Sequence, residues 1–350
     1  MRANARVIVR RALKSPVMLI DGGLGFDAVN IGERAREVQA QGYDGAWSSE
    51  VGHDPLLVLA VAASRTTTLE LGTSIVVAFG RTPMVTATMA NDVQLLSKGR
   101  LLLGLGSQIK PHIEKRYSMP WSQPAARMRE YVLALHAIWD SWNEGTKLDF
   151  RGDFYTHTLM TPFFSPGPNP YGPPKVFLAA VGQLMTEVAG EVADGLLIHG
   201  FTTERYLREK TIPALERGMS RRKGSREAFQ VSYPGFVVTG TPEEQEAAKR
   251  MVKGQIAFYG STPAYRPVLE LHGWGDLQTE LNGLSKRGEW TEMATLIDDD
   301  VLDAFAVTAE PGAVATEVRK RFGDVIDRFS FYSPYHLAPE RWAEVLAGFR

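Results

Sequence analysis

The stretch from Arg100 to Gln108, RLLLGLGSQ, decides how the rest of the chain is read. An apolar run that ends in Gly-x-Gly is a buried strand breaking into a glycine turn, a common place to hold a phosphate. A Rossmann loop would continue to a third glycine and place an acidic residue about 20 residues further on. Here Ile109, Lys110, Pro111 and His112 follow instead, and Glu130, the acid near that distance, falls within an amphipathic helical pattern. The run is therefore weighed as one strand of a different phosphate-binding sheet.

Working outward from it, short apolar runs alternate with longer amphipathic ones. Strands are expected at 17–21, 45–50, 69–78, 100–106, 175–180, 195–200, 229–240 and 327–334. Helices are expected over 27–42 (Asp27 as N-cap, Gly42 beyond its end), 55–64, 83–96, 124–142, 184–191 and 203–218, from Pro242 onward, and over 338–349. Eight strand-then-helix units predict a parallel sheet closed into a (β/α)8 TIM barrel, one domain over 17–350. Two segments interrupt the rhythm. Residues 146–174, rich in Pro, Gly and aromatics, read as an inserted hairpin and loop, and 258–300 read as irregular and helical by turns.

The first sixteen residues carry four arginines, one lysine and no acid. They are expected to be a disordered tail, or to precede a start near Met18; a presequence or an Arg-rich arm is the alternative. The chain has 350 residues, 44% hydrophobic and 23% charged, with net charge −1, which permits a large core and gives nucleic acid no bulk attraction. With no cysteine, disulfides, thiolate metal sites and a cysteine nucleophile are excluded, in keeping with a reducing cytoplasm. No apolar run approaches the roughly 18–20 residues that span a bilayer.

A barrel of this kind carries its active site at the C-terminal ends of the strands. The polar residues expected there are Asp21; Ser48, Ser49, Glu50, His53 and Asp54; Thr73 and Ser74; Ser107 and Gln108; Gly182 and Gln183; and His199. The histidines show no close pair at ligand spacing, so no metal is assigned, a Glu50–His53–Asp54–His199 cation site being the lesser reading. There is no GxSxG elbow. GLGSQ (104–108) and AAVGQLMTE (179–187) put small residues where backbone N–H groups meet an anion, the second at a helix N-terminus. Aromatic residues of 154–171 and 258–274 are available to pack the insertions or to wall a planar ligand.

Three longer stretches carry a resemblance: GTSIVVAFGRTPMVTATMANDVQLLSKGRLLLGLGS (72–107), KVFLAAVGQLMTEVAGEVADGLLIHGFTTERYL (175–207) and AFYGSTPAYRPVLELHGWGDL (257–277). Together they resemble the bacterial luciferase-like superfamily, in the branch of coenzyme F420-dependent oxidoreductases, over about 17–350. The resemblance implies a non-prolyl cis peptide among Thr73, Ser74 and Ile75, placed at Ser74–Ile75, behind the central ring of a flavin or deazaflavin. It implies a cofactor phosphate between Gly106, Ser107, Gln108 and Ile109 on one side and Val181, Gly182, Gln183, Leu184 and Met185 on the other. Asp21, Asp54 and His199 are assigned to the same pocket, and Glu50 and His53 to acid–base work, with His53 exchanging the proton.

Some flavin-using members carry an arginine where Ser107 stands, which favours F420 over FMN. The expectation is an F420-dependent oxidoreductase acting on a small organic substrate, with an FMN-dependent monooxygenase as the alternative and a ligand-binding barrel without turnover as a different class. A homodimer is expected from the resemblance, and no nucleic-acid or membrane partner.

Overall fold

The computed structural model describes residues 18–223 and 228–350, so the basic tail over 1–16 lies outside the described residues. Among these, eight parallel strands form the barrel: β1 (Leu19–Gly23), β2 (Gly45–Ser48), β3 (Glu70–Thr73), β4 (Leu101–Gly106), β5 (Lys175–Ala180), β6 (Gly195–Ile198), β7 (Gln230–Val238) and β8 (Arg328–Tyr332). Each pairs with the next in chain order, and β8 pairs back onto β1 through Leu19↔Arg328, Ile20↔Phe329 and Asp21↔Ser330, closing the ring. The (β/α)8 expectation holds.

The sequence pins this register at the lower rim. Asp44, Asp194 and Asp327 each stand immediately before a strand and accept the N–H of Ile20, Val176 and Val231 near the start of the preceding strand. One carboxylate at this position thus locks the pairs β1–β2, β5–β6 and β7–β8, since a one-residue slip would break it. Deeper in, Arg328 of β8, fully buried, makes a bidentate pair with Asp21 of β1 at 2.7 and 2.8 Å and reaches Glu70 at the start of β3. Burial works against the guanidinium's charge, but Asp21 and Glu70 together raise its pKa above the ordinary value.

Above this floor Leu102, Phe177 and Leu197 fill the barrel with Trp47 against them. Two glycines make room for the rings. A Cβ at Gly72 would lie 2.2 Å from the Trp47 indole, and one at Gly195 would lie 2.2 Å from Phe177.

Several helices begin where polar caps and prolines coincide. Asp54 caps the helix Pro55–Arg65, Thr82 caps Pro83–Leu96, and Thr241 with Glu244 forms a capping box on Pro242–Gly260. The first helix departs from expectation, running over Ile31–Ala40. Asp27 does not cap it; its carboxylate folds a tight turn by accepting the N–H groups of Val29 and Asn30.

The expected strand 69–78 is broken after Thr73. Val76–Val77 resumes and pairs with Leu105 and Gly106, and the Ser74–Ile75 peptide between the two pieces is cis. The hairpin in 146–174 is present at Phe150–Arg151 and Thr156–His157. Glu130 clamps it by accepting the N–H groups of Asp153, Phe154 and Tyr155, so that acid serves the insertion and no ribose.

The segment 258–300 is far more regular than its sequence suggests. After Pro242–Gly260 come the helices Arg266–Leu271, Gly275–Arg287, Trp290–Thr295 and Asp299–Phe305, then a short strand, Ala306–Thr308, beside the end of β7. Gly260, Pro263, Gly273 and Gly288 cut the periodicity into pieces too short to recognise. This helical lobe has its own core, with Ile256, Leu269, Leu281 and Phe305 packed on Phe201 and Phe236 of the barrel. Among the described residues no helix is long and apolar enough to cross a membrane.

The opening glycines now have a mechanical reason. Thr73 is buried and its hydroxyl donates to the Gly104 carbonyl at 2.7 Å while accepting the Gly104 N–H at 2.9 Å. A Cβ at Gly104 would lie 1.8 Å from the Thr73 carbonyl oxygen, a backbone atom with nowhere to go. Gly104→Ala is expected to lower stability by about 3 kcal/mol through overpacking. Urea unfolding checks this, and an unchanged midpoint would contradict the close contact of β3 and β4.

Candidate active site

The C-terminal ends of the strands surround a cavity of about 1290 Å³ that also runs out between the first and last helices. That is more than a drug-sized ligand needs and has room for a cofactor beside a substrate. Gly22 and Gly23 at the end of β1, Ser49 after β2, Ser74 and Ile75 after β3, Gly106 ending β4 and Ser107 to Ile109 after it line the cavity. Ala180 and Val181 follow from β5, His199 from β6, and Ser333 from beyond β8, while Trp47, Ala179 and Leu197 make its inner wall apolar.

Of the residues expected from sequence, Ser74, Ile75, Gly106, Ser107, Gln108, Ile109, Val181 and His199 do meet here. Gln108 takes a left-handed backbone (φ 58°), and its side-chain oxygen accepts the Ile109 N–H. Gly182 opens the helix Gln183–Val192 without any side-chain cap, so the N–H groups of its first turn have no partner within the helix. A Cβ at Gly182 would meet nothing within 4 Å, so the approach is open. The Gln183 side chain turns to Arg217, Leu184 is exposed, and Met185 packs on the barrel core; this turn offers backbone, not side chains.

Other expectations are corrected. Glu50 does not line the cavity: one carboxylate oxygen accepts from Tyr117 and the other from Arg81 and the Val77 N–H. Asp54 is used up capping its helix and pairing with Arg81 at 2.6 Å. The two acids and Arg81 form a buttress behind the β3 break. Thr73 is spent on Gly104, as above. Asp21 lies at the cavity floor with both oxygens on Arg328 and one also on the Trp47 indole N–H at 2.9 Å.

His53 is exposed in a separate small depression, which shares only Gly25, Phe26 and Ser49 with the main cavity. Since Arg81 claims both acids and His53 and His199 stand in different places, the cation-site reading has no geometry to support it. Among the described residues no three metal-ligating side chains come together.

The sequence offered the aromatics of 258–274 only as a group, to pack the insertions or wall a planar ligand, and passed over Tyr332. Tyr259, Tyr265 and Tyr332 line the cavity opposite the β3–β4 side, two of them brought there by the helical lobe. His199 stacks on Tyr265 with ring centroids 4.6 Å apart, and Thr203 bonds His272 at 2.8 Å, docking the lobe on the loop after β6. His199 Nδ1 accepts the Phe201 N–H at 3.0 Å and its Nε2 meets the Tyr265 hydroxyl at 3.1 Å. Burial holds the His199 pKa down at about 4, so the ring is neutral near pH 7. The signal that could have found this wall is the run STPAYRPVLELHGWG (261–275), whose Tyr, His and Trp sit among turn residues.

A profile of the luciferase-like monooxygenases matches residues 13–328. The chain belongs to that family. Among curated relatives, the luciferase-like chain is 54% identical over 310 residues to an uncharacterised protein of Mycobacterium tuberculosis, covering 88% of this chain and 91% of the other. It is 26% identical over 287 residues to 5,10-methylenetetrahydromethanopterin reductase of Archaeoglobus fulgidus, covering 80% and 82%. Among solved structures, the coenzyme F420-dependent tetrahydromethanopterin reductase of Methanopyrus kandleri superposes with a TM-score of 0.76 at 19% identity, covering 95% and 98%. At that identity the likeness is one of fold.

The low His199 pKa makes a prediction about acid stability. The unfolded chain binds the His199 proton near pH 6.5 and the folded one only near pH 4, so the neutral ring's stabilisation is complete above 6.5 and is lost as pH falls towards 4. Between pH 7.5 and pH 5 the native protein is expected to lose about 2 kcal/mol more than His199→Gln. Urea unfolding at the two pH values measures it; equal losses would contradict the buried neutral imidazole.

Proposed function

We propose that this luciferase-like protein is an oxidoreductase that uses coenzyme F420, exchanging a hydride with a small organic molecule held at the barrel mouth. The residues present fit a deazaflavin. The inner wall is apolar around Trp47, Ile75 and Leu197, and Gly23, where a Cβ would meet nothing within 4 Å, leaves open backbone beside it. When bound, the deazaflavin supplies a two-electron hydride carrier that does not readily activate oxygen. The protein orients it, excludes water and handles the proton.

The observation that carries the choice of cofactor is the charge of the phosphate site. The loop 106–109 and the turn 181–185 offer backbone N–H groups, while the Ser107 hydroxyl donates to the Gln108 carbonyl at 3.1 Å. The cations beside these two segments are already paired: Lys110 with Glu114, and Arg217, which also bonds the Gln183 side chain, with Glu187. The cations lining the cavity are Arg34 and Arg350, and both belong to its extension between the first and last helices. FMN ends in a phosphate monoester carrying about 1.5–2 negative charges at pH 7. The F420 phosphate is a diester with a single charge. Neutral donors at a helix N-terminus suit the single charge. The name of the Methanopyrus structure, a coenzyme F420-dependent reductase, supports the same reading.

Titrating the purified protein with F420 should quench the cofactor's fluorescence saturably and raise the melting temperature; at 100 Kd the stabilisation is about 2.7 kcal/mol. FMN at the same concentrations should do neither. Binding of FMN with no response to F420 would replace this reading by an FMN-dependent monooxygenase.

A further inference from the structure

The wall opposite the β3–β4 side has a chemistry of its own. Because Phe201 donates its N–H to His199 Nδ1, that nitrogen holds a lone pair and the proton of the neutral ring sits on Nε2. Nε2–H therefore donates to the Tyr265 oxygen, and the Tyr265 O–H is left to donate elsewhere. Tyr265 lines the cavity. Beside it Tyr259 and Tyr332 join their hydroxyls at 2.8 Å, which spends one of the two protons and leaves the other free. Burial first, and the neighbouring Tyr259 second, push the Tyr265 pKa up to about 12; burial also raises Tyr332. Tyr265 and Tyr332 therefore carry their protons near pH 7.

Among the described residues no unpaired formal charge lines the cavity beside them. Asp21 is neutralised by Arg328 on the floor, and Arg34 and Arg350 lie in the outward extension. Phe201, tilted against Tyr265 with centroids 5.5 Å apart, backs the wall with a further ring. Neutral O–H donors in an aromatic, charge-free setting reward an uncharged acceptor oxygen and penalise a charged group that must shed its water.

We propose that Tyr265 is the group that binds the substrate's oxygen, that His199 is its positioning residue, and that the substrate is an uncharged, planar molecule bearing a carbonyl. This deepens the F420 reading and rests on it for the identity of the neighbouring ligand. Tyr265 Oη–H donates to the carbonyl oxygen, and His199 Nε2–H holds the phenol oxygen so that its proton can only point into the cavity. Among the described residues, sugar phosphates and carboxylates find no cation at this wall to replace their hydration.

The test uses F420-loaded protein and three probes of one shape: acetophenone, α-methylstyrene (the oxygen replaced by CH2) and benzoate. Calorimetric titration should rank acetophenone first, with α-methylstyrene about tenfold weaker and benzoate without binding. Tyr265→Phe should bring acetophenone down to the level of α-methylstyrene while leaving F420 affinity unchanged. His199→Leu should do most of the same, and His199→Gln, which keeps a donor at similar reach, should restore it. A purely packing role for His199 would instead make Leu and Gln alike. The proposal is overturned if F420-loaded protein fails to bind acetophenone, prefers benzoate, or binds acetophenone equally well in Tyr265→Phe. Failure to bind F420 at all is a separate result and strikes the cofactor reading instead.

Discussion

The bidentate pair between Arg328 and Asp21 is the contact on which the rest depends. It joins the last barrel strand to the first across 307 residues of chain, in a place where neither side chain meets water. Taking either partner away would strand a buried charge, at a cost of about 3–5 kcal/mol. The pair also sets the floor of the cavity, because an Asp21 oxygen receives the Trp47 indole N–H and so fixes the ring on which the cavity's inner wall rests. Gly45 and Gly72 are the complement of that arrangement: Cβ atoms there would strike Arg328 and Asp21, or the indole itself.

From the floor upward the molecule separates rigidity from chemistry. Charged side chains near the mouth are consumed by structure: Glu50 and Asp54 by Arg81, and Glu130 by the hairpin. What faces the cavity is backbone N–H on one side and neutral phenol on the other. A low-dielectric site of this kind makes each remaining dipole count for more than it would in water. The helical lobe supplies Tyr259 and Tyr265, so the phenol wall exists only because that lobe packs on Phe201 and Phe236.

Much of the barrel was legible in the sequence because strand runs such as RLLLGLG and KVFLAA are apolar throughout, as strands buried on both faces must be. Helix starts were legible where Pro and a capping side chain coincide, as at Asp54–Pro55. The break after Thr73 came from resemblance, since Val76 and Val77 continue the apolar pattern without a signal. Glu50 looked like a catalytic acid because strand-end position and residue type agree. Its partner Arg81 lies 31 residues on, and no local pattern reveals that the two meet. Tyr265 stands in a marked run, 261–275, but no local pattern reveals that it meets His199, as His272 meets Thr203, once the lobe has docked.

The proposed deazaflavin would lie in the mouth cavity, against Ile75 and beside the uncapped turn at Gly182. The most direct measurement is a crystal structure of the protein grown with coenzyme F420. The account predicts ligand density within this cavity, touching Ile75 and the backbone of 106–109 and 182–184, with the Tyr265 side still open for a second molecule. Density that leaves those backbone segments untouched, or that fills the space before Tyr265 with the deazaflavin itself, would contradict it.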